Sequence, residues 1–319
     1  RMGGQSSRNP PQEFERAFPH FKHFFEVGPG LWNCCTDFYV ARVANIGTHC
    51  SVAAIGDNRF AVLDAAPLSA AAKRELDELT DNGTKIAACI FTHSYHTLSI
   101  PQFHADYPAT ADRKYYGCPR HLKVVTTDAG GAPIEWSGDL NDEATRRLFE
   151  PHLEMRIPAG SEFVDPQPPQ SNHFSSVFVF HPQSRTVVQA DTVVYYRSPG
   201  VILRIVGVTP FKMSFHPTLK SSGLYHTKEG PLDFMAWFQK MLDDWDFVHL
   251  LCAHNGGCYN EAKTVATELL KKVSPVLREL SERNAAEFAE GGAAAGAAPS
   301  EDDPGAKGWG NDPKSCDCG

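Results

Sequence analysis

The sequence predicts an α/β protein built as a four-layer αββα sandwich, and three observations lead there. Apolar runs with strand character alternate with amphipathic helical segments. The series strands, helix, strand occurs in the first half and again, with one more helix, in the second. Polar residues stand just beyond the ends of four of the runs. Two such halves stacked face to face bury both sheets between helices. At 319 residues, with 42% hydrophobic and 21% charged, the chain is long enough to fill that core.

Residues 1–30 read as an irregular N-terminal arm with an aromatic helix through FERAFPHFKHFF. FYVARVANI (38–46), CSVAAIG (50–56) and RFAVLDA (59–65) read as successive strands, with Gly56-Asp57-Asn58 turning between the last two. Leu68, Ala72, Leu76 and Leu79 fall on one face of a helix that Asn82-Gly83 ends. KIAACIF (85–91) is a buried strand, and it delivers His93 to its carboxyl end. SIPQFHADYP predicts a short helix stopped by Pro108, RKYYG a strand, and 141–149 a helix. Strand character returns in EFVDP, HFSSVFVFH (173–181) and TVVQAD (186–191), with Pro182-Gln183-Ser184-Arg185 as a hairpin loop. Residues 195–230, rich in Pro, Gly, Phe and Tyr, form an insertion that could cover a site mouth. In PLDFMAWFQKMLDD a proline opens a helix with Phe234, Phe238 and Met241 on one side. FVHLLCAH is a strand ending at His254. A final helix over about 260–288 carries Val265, Leu269, Val273, Val276 and Leu280, with Pro275 as a kink. The main domain thus spans 31–288, and the Gly/Ala-rich residues 289–319 predict a disordered tail.

Composition narrows the function classes. The net charge of −8 and the lack of a basic patch argue against a nucleic-acid partner. No apolar run approaches the roughly 20 residues of a membrane span, and the first 30 residues lack the apolar core of a signal peptide. Nine cysteines without a C-x-x-C pair suggest a reducing, cytoplasmic setting. Cys34-Cys35 and Cys316-x-Cys318 are too isolated to define a zinc site. MGGQSS (2–7) fits the N-myristoylation pattern at Gly3 if translation begins at Met2. One acyl chain would add only weak, reversible membrane attachment.

The chemistry is concentrated at the run ends: His93 after CIFT, His173 before FSSVFVF, Asp191 after VVQA, and His254 after LLCA. Strand ends converge on one edge of a sheet, so residues far apart in the chain can meet there. Neutral imidazole and carboxylate are zinc ligands, and bound Zn²⁺ would lower the pKa of water toward about 7. IFTHSYHTLSIPQFH adds His96, three residues after His93, and His104, eight further on. The expected donor set is His93, His96, His173 and Asp191 with His254 adjoining. Asp64 stands beside it as an orienting or turn-capping carboxylate, and Tyr95 as a donor to a developing oxyanion. Each imidazole has a plainer reading as a hydrogen-bonded structural residue. His216 and His226 in the insertion could contact a substrate, His181 before its turn is expected exposed, and Cys258 reads as a core thiol.

In order and strand context these segments resemble the metallo-β-lactamase fold family over roughly residues 38–285. FAVLDA is similar to the early strand ending in Asp, FTHSYH to the H-x-H-x-D-H loop, NHFSSVFVF to the strand opening with the next histidine. VVQADT is similar to the G-D-[ST] strand end and CAHNGG to the closing P-x-H-G segment. The resemblance implies His93, His173, Asp191 and His254 as inherited ligands, and it also exposes a degraded loop. Aligned from His93, Tyr95 takes the second histidine's place, Thr97 the aspartate's and Leu98 the last histidine's, while Ala190 replaces the glycine before Asp191. A dinuclear site is therefore not expected.

The implied activity is a metal-dependent hydrolase with one Zn²⁺ or Fe²⁺ acting on a small-molecule ester, thioester, lactone or phosphoester. Asp191 would ligate the metal or take a proton, and His254 would ligate it or stabilise the leaving group. The lost loop ligands favour a rival from another class, a metal-free pseudoenzyme serving as a binding or scaffold protein. Two histidines and a carboxylate would also suit a mononuclear iron oxygenase.

Overall fold

The computed structural model describes residues 22–40, 43–169, 171–197, 199–205, 207–254 and 256–291. Gly3 and nearly all of the expected tail lie outside the described residues. The first half supplies β1 (Phe24–Gly28), β2 (Leu31–Thr36), β3 (Tyr39–Val40), β4 (Ala44–Asn45), β5 (Thr48–Ala54) and β6 (Phe60–Leu63). Helix α1 (Ala70–Thr80), β7 (Ile86–Ile90), α2 (Ile100–Asp106), β8 (Lys114–Gly117), α3 (Pro119–Val124), β9 (Trp136–Asp139) and α4 (Glu143–Arg147) complete it. The second half supplies β10 (Glu154–Arg156), β11 (Phe178–His181), β12 (Thr186–Val188), β13 (Val193–Tyr196), α5 (Val201–Ile205) and β14 (Lys212–Phe215). A 3₁₀ turn (Pro217–Lys220), α6 (Glu229–Asp244), β15 (His249–Leu251), β16 (Gly257–Cys258) and α7 (Ala262–Gly291) follow.

Two main sheets result, one ordered β1-β2-β5-β6-β7-β8-β9 and the other β10-β11-β12-β15-β16. Period-2 alternation sorts their side chains into three cores, and three cores between layers make four layers. Phe60 and Val62 of β6 face Leu76 of α1 and Phe103 of α2. Ala61 and Leu63 of the same strand meet Val179, Val188 and Leu251 of the other sheet. Phe178, Phe180, Val187 and Leu250 turn the opposite way, onto Phe234 and Phe238 of α6 and Leu269 of α7. Each fully buried Phe or Leu contributes about 1.5–3 kcal/mol by leaving water. The αββα sandwich is thus the observed architecture.

Local expectations fare unevenly. Ser69 caps α1 by accepting the Ala72 N–H at 3.1 Å. Ala72 and Leu76 are buried, with Leu68 and Leu79 packed beside them. The β5–β6 turn runs through positive φ at Gly56, Asp57 and Asn58. In α7 the buried stripe passes through Leu269, Leu277 and Leu280, so Leu277 rather than Val276 faces inward. The aromatic helix is corrected where it is described: Phe24–Gly28 is a strand, because Phe25 and Val27 alternate inward toward the second sheet. Residues 38–46 are no single strand; the Asn45 side chain accepts from the Phe38 and Gly47 N–H groups and folds them into a small β3–β4 hairpin. EFVDP is not a strand, and β11 begins only at Phe178. The Val177 N–H is drawn instead to the Thr92 carbonyl at 2.9 Å, which ties the second half to the His93 loop.

Candidate metal centre

Strand direction places the site. β6 and β7 run parallel, as do β12 and β15, and β11 runs antiparallel to β12. Asp64, His93, Asp191 and His254 therefore follow carboxyl ends, while His173 precedes the start of β11 at the same edge.

Asp191 is the hub. One carboxylate oxygen, Oδ2, lies 3.1 Å from His96 Nε2, 3.7 Å from His93 Nε2 and 3.8 Å from His173 Nδ1. The other, Oδ1, lies 3.3 Å from His254 Nε2. Ligand-type atoms of His93, His96, His173 and Asp191 all fall within 4.8 Å of one another. Asp191 is 3% exposed, and burial alone would push its carboxyl up. With their rings protonated, the surrounding His254 and His96, with bonds from His173 and His96, outweigh this and hold it well below the usual range.

The protons on the histidines show what the cluster lacks. A carbonyl oxygen can only accept, so His254 Nδ1 donates to Gly47 at 2.6 Å and His173 Nε2 donates to Pro169 at 3.2 Å. When neutral, each ring then turns a bare nitrogen toward Asp191. Burial, only partly opposed by Asp191, lowers the His254 pKa and keeps that ring neutral. Two acceptors face a carboxylate with no proton between them, and a cation satisfies such an arrangement. Burial and then His96 push His93 well down. Its Nε2 donates to the His173 carbonyl at 3.1 Å while Nδ1 accepts the Tyr95 N–H at 3.2 Å, so ligation by Nε2 requires the ring proton to move to Nδ1 and both of these bonds to break. His96 is also drawn down by burial, but Asp191 and Asp64 together raise it.

Neighbouring groups fix the donors. Asp64 sits at φ +57°, in the left-handed region that Asp tolerates better than most residues, and accepts both the Thr92 N–H and the Thr92 hydroxyl at 2.7 Å. It thereby clamps the residue before His93, consistent with an orienting role. Phe38 stacks on His254 at 6.1 Å. His49, 6% exposed, is pushed down to about 3 by burial and then by His254. With Ser51, Asp64, His96 and Gln189 it lines a pocket between the sheets. Sequence reasoning missed His49, Phe38 and Gly47; the turn residues Asp37, Asn45 and Gly47 that shape the β3–β4 hairpin were the available signal.

Other expectations change. Tyr95 stacks on His173 at 4.7 Å, but its hydroxyl donates to the Pro166 carbonyl, so that proton is committed and the oxyanion role loses its donor. His104 is not part of the set: Nδ1 pairs with Asp128 at 3.1 Å and Nε2 accepts the Ala109 N–H. His181, expected exposed, is 1% exposed and bridges to Ser184 and the Ala54 carbonyl. His226 pairs with Glu287 on the surface, and Cys258 belongs to the helix-side core. His216 is pushed down by burial, opposed by Asp191 and reinforced by His173 and His254, so it lies within electrostatic reach of the cluster.

No family model matches the sequence, and no curated protein does either. Solved structures do. The DIM-1 metallo-β-lactamase exposed to ceftazidime is 12% identical and superposes with a TM-score of 0.51, covering 80% of this chain and 99% of its own. The VMB-1 structure at pH 5.5 is 12% identical, covering 80% and 100%, with a TM-score of 0.49. A metallo-β-lactamase from Hirschia baltica is 14% identical, covering 78% and 97%, with a TM-score of 0.48. At such identity only the fold carries over, and the DIM-1 superposition agrees with the layers traced above. The chain has the metallo-β-lactamase fold.

Proposed function

We propose that this chain is a metal-dependent hydrolase with one ion held by His93, His96, His173 and Asp191 Oδ2. The observation that carries the reading is the pair of imidazoles, His173 and His254, each of which donates one N–H to a backbone carbonyl and turns its other ring nitrogen, bare when the ring is neutral, toward Asp191. A bound Zn²⁺ or Fe²⁺ supplies Lewis acidity, polarising a carbonyl or phosphoryl oxygen and acidifying water. Asp191 divides its labour: Oδ2 faces three histidines, while Oδ1 and His254 Nε2, 3.3 Å apart, can share a proton taken from the attacking water. His254 then returns that proton to the leaving group. Asp64 and Thr92 hold the loop, and Tyr95 positions His173 by stacking. The small-molecule substrate classes that suit this chemistry are esters, thioesters, lactones and phosphoesters.

The test is hydrolysis of nitrophenyl ester, thioester, lactone and phosphodiester probes by protein loaded with one equivalent of zinc or iron. Asp191→Asn should lower kcat/KM for the hydrolysed probe by at least about a hundredfold. Equal turnover by wild type and Asp191→Asn would end the reading. One observation favours the metal-free scaffold instead: His93 and His96 already hydrogen-bond to the His173 carbonyl and to Asp191. That reading requires purified protein to take up neither zinc nor iron.

A further inference from the structure

The β13–β14 hairpin is rooted at the site, where the His216 N–H donates to the Thr192 carbonyl at 3.1 Å. Its four-residue strands carry the chain about 13 Å outward, to a tip where no described residue from Gly200 to Lys212 is buried. Helix α5 has no buried residue; Val201 is 73% exposed, Ile205 79% and, across the tip, Phe211 63%. A Cβ added at Gly200 or Gly207 would meet no atom within 4 Å, so the tip stands in open space. It is nonetheless built. Arg204 N–H bonds to Gly200 and its Nε to Pro199, Val208 N–H to Leu203, and Phe211 N–H to Tyr196. Backbone bonds hold large apolar side chains outward, where isolated loops of a soluble surface carry polar ones.

Charge identifies the occupant. From Thr192 to Lys228 the sequence has five basic residues (Arg197, Arg204, Lys212, Lys220, Lys228) and no Asp or Glu, in a chain of net charge −8. Arg204 and Lys212 are exposed beside the apolar tip and have no carboxylate partner among the described residues. A second copy of the chain is a poor fit: a stable dimer needs about 20–30 residues a side, and the tip offers fewer than ten. An apolar wedge ringed by cations fits a surface that accepts shallow insertion and carries negative charge.

We propose that the α5 tip is a membrane-docking wedge: Val201, Ile205 and Phe211 insert into the apolar boundary of a lipid bilayer while Arg204 and Lys212 engage anionic headgroups. It depends neither on metal binding nor on acylation at Gly3.

The test uses the full chain made without an acyl group, sedimented with vesicles of phosphatidylcholine alone or doped with phosphatidylserine. Wild type should sediment with the doped vesicles. Ile205→Asp/Phe211→Asp should lower partitioning by at least about tenfold. Arg204→Gln/Lys212→Gln should lower it on doped vesicles by about fivefold per residue and leave it unchanged on phosphatidylcholine. Unchanged melting temperatures confirm that both variants fold, as their exposure predicts. Failure of wild type to sediment with doped vesicles, or equal sedimentation of the aspartate variant, overturns the proposal. So does a wild-type dimer, without vesicle binding, that the aspartate variant dissolves into monomers.

Discussion

Two buried His–Asp clusters in this chain look alike in composition and differ in where their protons go. At the α2 flank, Asp128 accepts the His104 ring at 3.1 Å and the Gly130 and Ala132 N–H groups at 2.9 and 2.8 Å, while the other His104 nitrogen accepts the Ala109 N–H. Every nitrogen has a protein partner, so the pair closes a turn and asks for nothing more. At the sheet edge, Asp191 faces four histidines, and two of them donate their N–H groups to carbonyls on the far side. Residue type alone does not separate a structural pair from a candidate ligand set; counting protons does.

The sharpest way to break the contrast is substitution at the two carboxylates. Asp191→Asn should weaken zinc affinity by more than about a hundredfold, read by competition with a chromogenic chelator. Asp128→Asn should leave that affinity unchanged and lower only the melting temperature. Chelation comes next. If free zinc stands 100 to 1,000 times above Kd, its removal should cost wild type about 3–4 kcal/mol of unfolding free energy and cost Asp191→Asn almost nothing, measured by urea titration with and without chelator.

A smaller effect sharpens the role of the Asp64 clamp. Thr92→Val removes the hydroxyl that donates to Asp64 at 2.7 Å, and should cost about 1–2 kcal/mol of stability and about tenfold in metal affinity. The smallest effect is a pH slope. Burial first, and then His96, push His121 down to about 3, below its unfolded value near 6.5. The unfolded chain therefore binds the extra proton between pH 6.5 and 3. This contribution is complete above pH 6.5 and is lost as pH falls toward 3, at up to about 1.4 kcal/mol per pH unit. His121→Asn should flatten the acid limb of Tm against pH by that one group and leave the neutral region parallel to wild type.

The sandwich was legible because period-2 alternation is written directly into strands such as FAVL, whose odd and even members enter different cores. His93, His173, Asp191 and His254 were legible for a related reason: each abuts an apolar run, and run ends become one sheet edge. What escaped depends on tertiary partners. His181 sits next to a turn, which suggests exposure, yet the Ala54 carbonyl of the facing sheet draws it inside. Tyr95 has the right chemistry for an oxyanion donor, but its hydroxyl already donates to the Pro166 carbonyl, 71 residues on. The fixation of His254 comes from Gly47, 207 residues away, through a hairpin that carries no catalytic motif. His96 was recoverable only as a neighbour of His93, because the turn through residues 93–97 decides where its ring points.

Metal stoichiometry measures the central claim most directly. Protein purified without chelator, dialysed against zinc and then against buffer, and analysed by elemental mass spectrometry should retain about one equivalent, as the proposed His93, His96, His173 and Asp191 set requires, while Asp191→Asn retains almost none. Wild-type protein that holds no more zinc or iron than Asp191→Asn would contradict the account.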